Sequence, residues 1–568
     1  MKQKSRNILV AGEAGQGLVT LSQILTKALV RAGYYLVVTQ SYQSRIRGGH
    51  NSYALRVSDQ EIIAPIETVD LLIALDQKSI DIHMGELAPS GLVVVDENIS
   101  SKDHDRILRA PFSKLADNKF SNSVALGMVS ALLGLKENET NETLRSFFDK
   151  HGADATEHNM VSCSAGFDWV MRRGVDFPKL APPNLQKDRL TLNGNEATAL
   201  GAIAAGMKFF CFYPMSPATS IATALAEHSA EIEIALEQAE DEISAINMAI
   251  GASFSGAPSM VATSGGGFAL MTEAVSLSGM TETPVVIVVA QRPGPSTGLP
   301  TRTEQADLEF VLHGGHGEFP RAIFAPGNVE QAFHLTRSAF EVANRYNTPV
   351  FILTDQFLAD SYRSVQCFDL ASVNPIDPCA NSSAETDPHL TYFLTESGVS
   401  PRSFPGMTTN CVRASSSQEL VVADSDEHTQ DGHLTEDFLI RISMVEKRLR
   451  KFQGIKSECV PPDYIGDSEP DLLFICWGSS RGSTIEAAEQ LKTEATRVGV
   501  LHFSQVWPLV PETFVKKITS AKKTIAVESN ATAQFARLIR RETGIEIGAS
   551  ILRYDGLPIT PEYIVARI

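Results

Sequence analysis

Seven cysteines are scattered through the 568 residues, no two of them closer than twelve positions. There is no C-x-x-C pair, which excludes the usual structural zinc sites and the clustered thiolates of an iron–sulfur centre within this chain. An odd count of unclustered cysteines fits free thiols in a reducing compartment. Basic charge is scarce too. Lys+Arg number 49 against 67 Asp+Glu, a formal net charge of −18, and no concentrated basic stripe offsets it. A phosphate backbone would be repelled, so nucleic acid is excluded as a partner. Long apolar runs are missing as well. The start, MKQKSRNILVAGEAGQG, carries a five-residue apolar run, shorter than a secretory signal. Nothing elsewhere approaches the roughly eighteen apolar residues of a membrane span. The expectation is a soluble, cytoplasmic protein.

What is present is material for several packed cores: 43% hydrophobic and 20% charged residues, over a length that corresponds to three or four domains of roughly 150 residues. The first region opens with strand-like Ile8-Leu9-Val10 and the turn Gly12-Glu-Ala-Gly15-Gln-Gly17. A helix with Leu18, Leu21, Leu25 and Leu29 on one face follows, and strands are predicted at Tyr35–Thr39, Tyr53–Val57, Val69–Leu75 and Leu92–Asp96. DFPKLAPPNLQKDRL (176–190), with three prolines, reads as a linker. A second region alternates strands and helices most regularly, with strands at Phe209–Tyr213, Ile232–Leu236, Met260–Thr263, Val285–Ala290, Ala322–Ala325 and Pro349–Thr354. Periodicity fades from about 366 to 465, closing on a charged helix at roughly 434–453, and returns over 466–568. Alternation of this kind predicts an α/β architecture of mostly parallel sheets.

Six segments could carry chemistry. The glycine turn can present backbone N–H groups to an anion at a helix N-terminus, or it can serve close strand–helix packing. Its G-x-x-G-x-G spacing is not that of a dinucleotide site. SYQSRIRGGHNSYALRV (41–57) sets Arg45 and Arg47 before two glycines, either as a solvated loop or as guanidinium groups reaching an anion in another domain. In FFCFYPMSPATS (209–220), Ser216 is placed as a helix N-cap at the mouth of a parallel sheet, where ligands bind in α/β folds. In EDEISAINMAIGAS (240–253), Glu242 opens an apolar helix; acids in a first turn complement the helix dipole, whereas a buried one has a raised pKa and can share a proton with a cofactor nitrogen. Ser264-Gly265-Gly266-Gly267 ends a strand and leaves room for a ligand ring, and Arg292 begins a stiff, proline-rich loop after the most apolar strand.

Together these segments resemble the 2-oxoacid:ferredoxin oxidoreductases, thiamine diphosphate enzymes that decarboxylate a 2-oxoacid onto coenzyme A. YPMSPATS is similar to the family's Y-P-I-T-P loop, EDEISAINMAIGAS to its thiamine-facing glutamate helix, and TSGGGFALM to its T-S-x-G-x-x-L-M segment. VESNATAQFARLIR with DGLPITPE resembles the C-terminal domain, and GQG with RIRGGHNSYALRVS the small γ domain, so the order is an α subunit with a fused N-terminal γ domain. ADSDEHTQDGHLTED (423–437) is most like the 2-oxoglutarate type.

The resemblance implies a γ domain over 1–180, a linker over 181–192, a pyrimidine-binding domain over 193–365, an irregular connection over 366–465 and a transketolase C-terminal-like domain over 466–568. It implies that Glu242 bonds the aminopyrimidine of thiamine diphosphate, with Ser264, Gly265 and Gly266 also at the cofactor. Ser216, Arg292 and Arg47 then bind the substrate, Ser216 standing where the family has threonine. No cysteine cluster and no G-D-G…N magnesium motif is present, so Mg2+ and a 4Fe-4S cluster are expected on a β subunit, in an (αβ)2 heterotetramer with ferredoxin docking on β. Pyruvate, branched-chain and aryl 2-oxoacids stay open as substrates. A reading of another class is a non-catalytic regulatory protein that binds an anion or nucleotide at Gly12–Gly17.

Overall fold

A computed structural model describes residues 5–43, 49–99, 105–149, 152–183, 189–371, 373–377, 391–402 and 424–568. Three sheets, mostly parallel, carry the chain. The first has eight strands in the order Ile107–Ala110, Leu87–Asp96, Val69–Ala74, Arg6–Glu13, His50–Ser58, Tyr35–Ser41, Tyr362–Gln366 and Arg189–Leu192. The first four run parallel, and the remaining pairings are antiparallel. The strand Arg6–Glu13 is apolar on both faces because both are covered: Ile8 and Val10 point into one cluster, Leu9 and Ala11 into another. The helices Leu18–Arg31, Ser121–Leu133 and Ala153–Arg173 cover the larger face.

The second sheet runs Gln505–Trp507, Ala322–Phe324, Pro349–Asp355, Val285–Gln291, Ser259–Thr263, Phe209–Phe212 and Ala235–Gln238, parallel except for its first strand. All seven residues of Val285–Gln291 are buried, which accounts for its uninterrupted apolar sequence. The third sheet runs Asp463–Gly466, Val498–Phe503, Leu472–Trp477, Lys523–Glu528 and Ala549–Leu552, again parallel apart from its first strand. One core cluster joins the last two sheets, with Val261, Ile287 and Phe351 of one packed with Ile475, Trp477 and Phe503 of the other.

Sheets and sequence order do not coincide. Arg189–Leu192, at the end of the stretch expected to link, and Tyr362–Gln366 extend the first sheet, while Gln505–Trp507 extends the second. The charged helix lies at Phe438–Ser457 and presses Lys447 and Lys451, both at most 2% exposed, onto the buried carboxylate of Glu282. Among the described residues no helix is long and apolar enough to cross a membrane.

Candidate active site

Three neighbouring parallel strands of the second sheet end side by side, so the segments that leave them converge at one edge. Phe209–Phe212 passes into Tyr213-Pro214-Met215-Ser216, Ser259–Thr263 into Ser264, and Val285–Gln291 into Arg292. Beside them starts the helix Glu242–Phe254. Asp241 is its cap, its side chain accepting the Ser244 N–H at 2.7 Å, and this fixes Glu242 as the first helical residue. Glu242 is only 3% exposed, and its Oε1 is buried without a hydrogen-bond partner. Burial pushes its carboxyl above the usual range; its own backbone N–H opposes this and the charge of Asp241 adds to it.

Gly267, in the first turn of the helix Gly265–Met280, lies against that carboxylate. A Cβ there would fall 2.1 Å from Thr263 Oγ1 and 2.5 Å from Glu242 Oε1. Ser264, fully buried at the cap position of the same helix, makes no capping bond, and its Oγ also has no partner. Two orphaned polar atoms thus flank a glycine-lined recess. The neighbouring cleft, of about 440 Å³, is walled by Met215, Ser264, Gly265, Gly266, Arg292 and Asp307. Arg292 Nη1 donates to the Ser216 carbonyl at 2.7 Å, and burial lowers the guanidinium's pKa.

Of the residues singled out from sequence, Glu242, Ser264, Gly265, Gly266 and Arg292 come together here. Ser216 is present through its carbonyl, but it does not cap a helix. The helix is Thr219–Ile232, its cap position is Ala218, and Ser216 lies exposed in the preceding turn. No side chain caps that helix, and Asn195 instead ties down its entry turn, its Nδ2 donating to Pro217 O at 2.7 Å and to Ser220 Oγ at 2.6 Å. Arg47 lies outside the described residues. Asp307 was not legible as a site residue, and Gly267, read with its neighbours as leaving room for a ligand ring, was not linked to Glu242. The available signal for Gly267 was three consecutive glycines in a helix start, each costing about 0.5–1 kcal/mol against alanine and so requiring a reason in packing.

A second cleft, of about 530 Å³, opens at the glycine turn, walled by Gly15, Gln16, Gly17, Lys119, Ser121 and Asn122. It sits where the parallel half of the first sheet meets the N-terminus of the helix Leu18–Arg31, a place whose N–H groups favour an anion. Around the first site, large apolar side chains are left in solvent: Tyr213 is 39% exposed, Ile243 50%, Met248 40% and Leu270 52%. Ile243 and Met248 share a helix with Glu242, and Leu270 shares one with Gly267.

The fold and this site define a thiamine-dependent oxidoreductase. Residues 200–423 match the family model "Pyruvate flavodoxin/ferredoxin oxidoreductase, thiamine diP-bdg", and residues 7–169 match "Pyruvate ferredoxin/flavodoxin oxidoreductase". The chain belongs to the 2-oxoacid:ferredoxin oxidoreductase family, as an α subunit. It is 30% identical to the 2-oxoacid:ferredoxin oxidoreductase subunit alpha of Saccharolobus solfataricus, covering 97% of this chain and 95% of that one. It is 26% identical to the 2-oxoglutarate oxidoreductase subunit KorA of Mycobacterium tuberculosis, over 99% of this chain and 91% of the relative. The 2-oxoglutarate:ferredoxin oxidoreductase of Magnetococcus marinus, solved with 2-oxoglutarate, coenzyme A and succinyl-CoA, superposes with a TM-score of 0.92 at 31% identity, covering 100% of this chain and 99% of that one. The recess fits the family's cofactor: a buried carboxylate oxygen without a partner suits an aminopyrimidine nitrogen, and the missing side chain of Gly267 leaves the space beside it open.

Proposed function

We propose that this chain is the γα subunit of a 2-oxoglutarate:ferredoxin oxidoreductase. With a β subunit it converts 2-oxoglutarate, coenzyme A and oxidised ferredoxin to succinyl-CoA, CO2 and reduced ferredoxin, or runs the reverse carboxylation. The observation that carries this reading is Glu242, a buried carboxylate with an unpartnered Oε1 at the edge of a recess ringed by solvent-exposed apolar side chains. Such a rim fits a face that another chain covers. The 2-oxoglutarate preference is supported by the names of the Mycobacterium relative and the Magnetococcus structure.

Bound thiamine diphosphate supplies an electron sink for the carbanion left by departing CO2. Glu242 holds and returns a proton at the aminopyrimidine, a task that its raised pKa suits. Ser264 and the backbone at Gly265 and Gly266 line the space around it. Arg292, steadied by the Ser216 carbonyl, anchors the carboxylate of the 2-oxoacid, and Arg47 reads the distal carboxylate. The phosphates of coenzyme A suit the glycine-turn cleft with Lys119. Mg2+ and the 4Fe-4S cluster belong to β, since this chain has no paired cysteines to hold a cluster. Ferredoxin, itself an acidic protein as a rule, docks on β rather than on a chain of charge −18, in a cytoplasmic (αβ)2 assembly.

The test is anaerobic reduction of methyl viologen by the chain produced with its β subunit, given coenzyme A and a panel of 2-oxoacids, with each chain alone as control. Activity only with both chains and strongest on 2-oxoglutarate supports the proposal. A stronger response to another acid replaces the substrate and keeps the chemistry. Cofactor-loaded protein inert toward every acid would favour the regulatory anion-binding reading.

A further inference from the structure

Asp307 has no part in the reaction as described so far, yet it stands at its centre. Its carboxylate rests on the backbone of Gly265, where a Cβ would lie 2.3 Å from Oδ2 and 2.8 Å from Oδ1. The residue is held from behind: its N–H donates to Gln291 Oε1 at 2.9 Å, and Gln291 Nε2 donates to Thr354 O at 3.0 Å. A buried, non-titrating side chain at the end of the central strand therefore aims a titrating one into the 440 Å³ cleft, opposite Arg292 and beside Ser264. Two charged groups bear on it. Arg292 favours its ionised form, and Glu304 is a second carboxyl whose pKa burial and the charge of Asp307 push up. Burial prevails at Asp307 and raises its carboxyl to about 6 despite Arg292.

Before any ligand arrives, the cleft so holds one guanidinium and a carboxylate that is ionised at pH 7 but poised to take up a proton. An incoming 2-oxoacid brings another negative charge to Arg292. It draws off the attraction that kept Asp307 ionised, and like charges sharing a site cannot both persist there. We propose that Asp307 takes up a proton from solvent as the carboxylate of the 2-oxoacid binds beside Arg292, so that the acid meets a hydrogen-bond donor in place of a second anion. This makes Asp307 a positioning residue that couples substrate binding to pH, and it rests on the placement of the 2-oxoacid in this cleft given above. Its signature is affinity that falls tenfold for each pH unit once the proton must be supplied from an alkaline solution.

The experiment uses the αβ holoenzyme and 2-hydroxyglutarate, which carries both carboxylates and no keto carbon to react. Calorimetric titration at pH 7 in phosphate and in Tris reads the proton stoichiometry from the difference in heat. The wild type is expected to take up more than about half a proton per site, and Asp307→Asn close to none, with affinity no longer falling at alkaline pH. Gly265→Ala, which displaces the carboxylate without removing it, is expected to lose the uptake as well, and it decides the matter if the Asn variant does not assemble. Uptake unchanged in both variants assigns the proton to another group and overturns the inference. So does binding to the wild type with no uptake. Failure of 2-hydroxyglutarate to bind, in a preparation that also turns over no 2-oxoacid, rejects the functional reading and this inference with it, whereas an active enzyme that shows no proton uptake rejects this inference alone.

Discussion

Alanine at Gly267 is expected to disable the site while leaving the protein folded. The new Cβ falls 2.5 Å from Glu242 Oε1 and 2.8 Å from its Cγ, where 3.4 Å is the near limit of ordinary contact, so the carboxylate must retreat by about 1 Å. A displacement of that size costs on the order of a hundredfold in rate when the displaced group takes part in the chemistry. The stability account is milder. Overpacking costs about 1–3 kcal/mol, and replacing a helical glycine by alanine returns about 1. The net effect is a loss of no more than about 2 kcal/mol, a few degrees in Tm at most. The assay is kcat/KM for viologen reduction by the αβ enzyme, beside a thermal melt. Glu242→Gln alone is expected to lose at least about a hundredfold, and Gly267→Ala added to it should cost little more, because both act through one carboxylate. Full additivity of the two losses, or a Gly267→Ala enzyme within about threefold of wild type, would refute the assignment of Gly267 to Glu242.

Arg292→Lys keeps the charge but gives up planar bidentate recognition and the tie to the Ser216 carbonyl; KM for the 2-oxoacid is expected to rise about tenfold, as initial-rate kinetics will show. Arg47→Ala is expected to raise KM for 2-oxoglutarate more than for pyruvate, and equal effects would remove it from the distal carboxylate. Gly17→Ala introduces a Cβ 2.1 Å from Asn122 Nδ2 at a residue with φ of +76°, and should raise KM for coenzyme A while sparing that for the 2-oxoacid. Glu282→Gln strands two buried ammonium groups and should cost about 3–5 kcal/mol in denaturant unfolding. Burial alone would raise the Glu282 pKa, but Lys451 and Lys447 hold it down to about 2 from an ordinary 4.5. Its stabilisation is therefore complete above pH 4.5 and lost as the pH falls toward 2, a slope that the Gln variant should lack.

The strands were legible wherever burial on both faces imposed an unbroken apolar run, as in Val285–Gln291, and Glu242 stood out because an acid begins an otherwise apolar helix. Local pattern misplaced Ser216, because its turn is tied by Asn195 from another helix some twenty residues upstream. Asp307 escaped notice for a related reason. The segment 292–307 has no periodicity, and its path is set by distant partners: Thr301 Oγ1 donates to Tyr42 O at 2.8 Å, Arg302 Nη1 to Ser41 Oγ at 2.6 Å and Gln305 Nε2 to Trp477 O at 3.1 Å. Side chains positioned by contacts hundreds of residues away leave no periodic trace in their own neighbourhood.

The edge of the first sheet bears on how this gene could be divided. Tyr362–Gln366 is hydrogen-bonded on one side to Tyr35–Ser41 and on the other to Arg189–Leu192, so the amino-terminal unit is laced into the rest by backbone ladders as well as by its covalent connection. The buried Arg56–Glu486 pair, at 2.6 Å, fastens the same unit to the far end of the chain. A ribosomal stop and restart ahead of residue 189 would sever the polypeptide without parting the two bodies. The pieces, made separately in one cell, should find each other and purify as one particle.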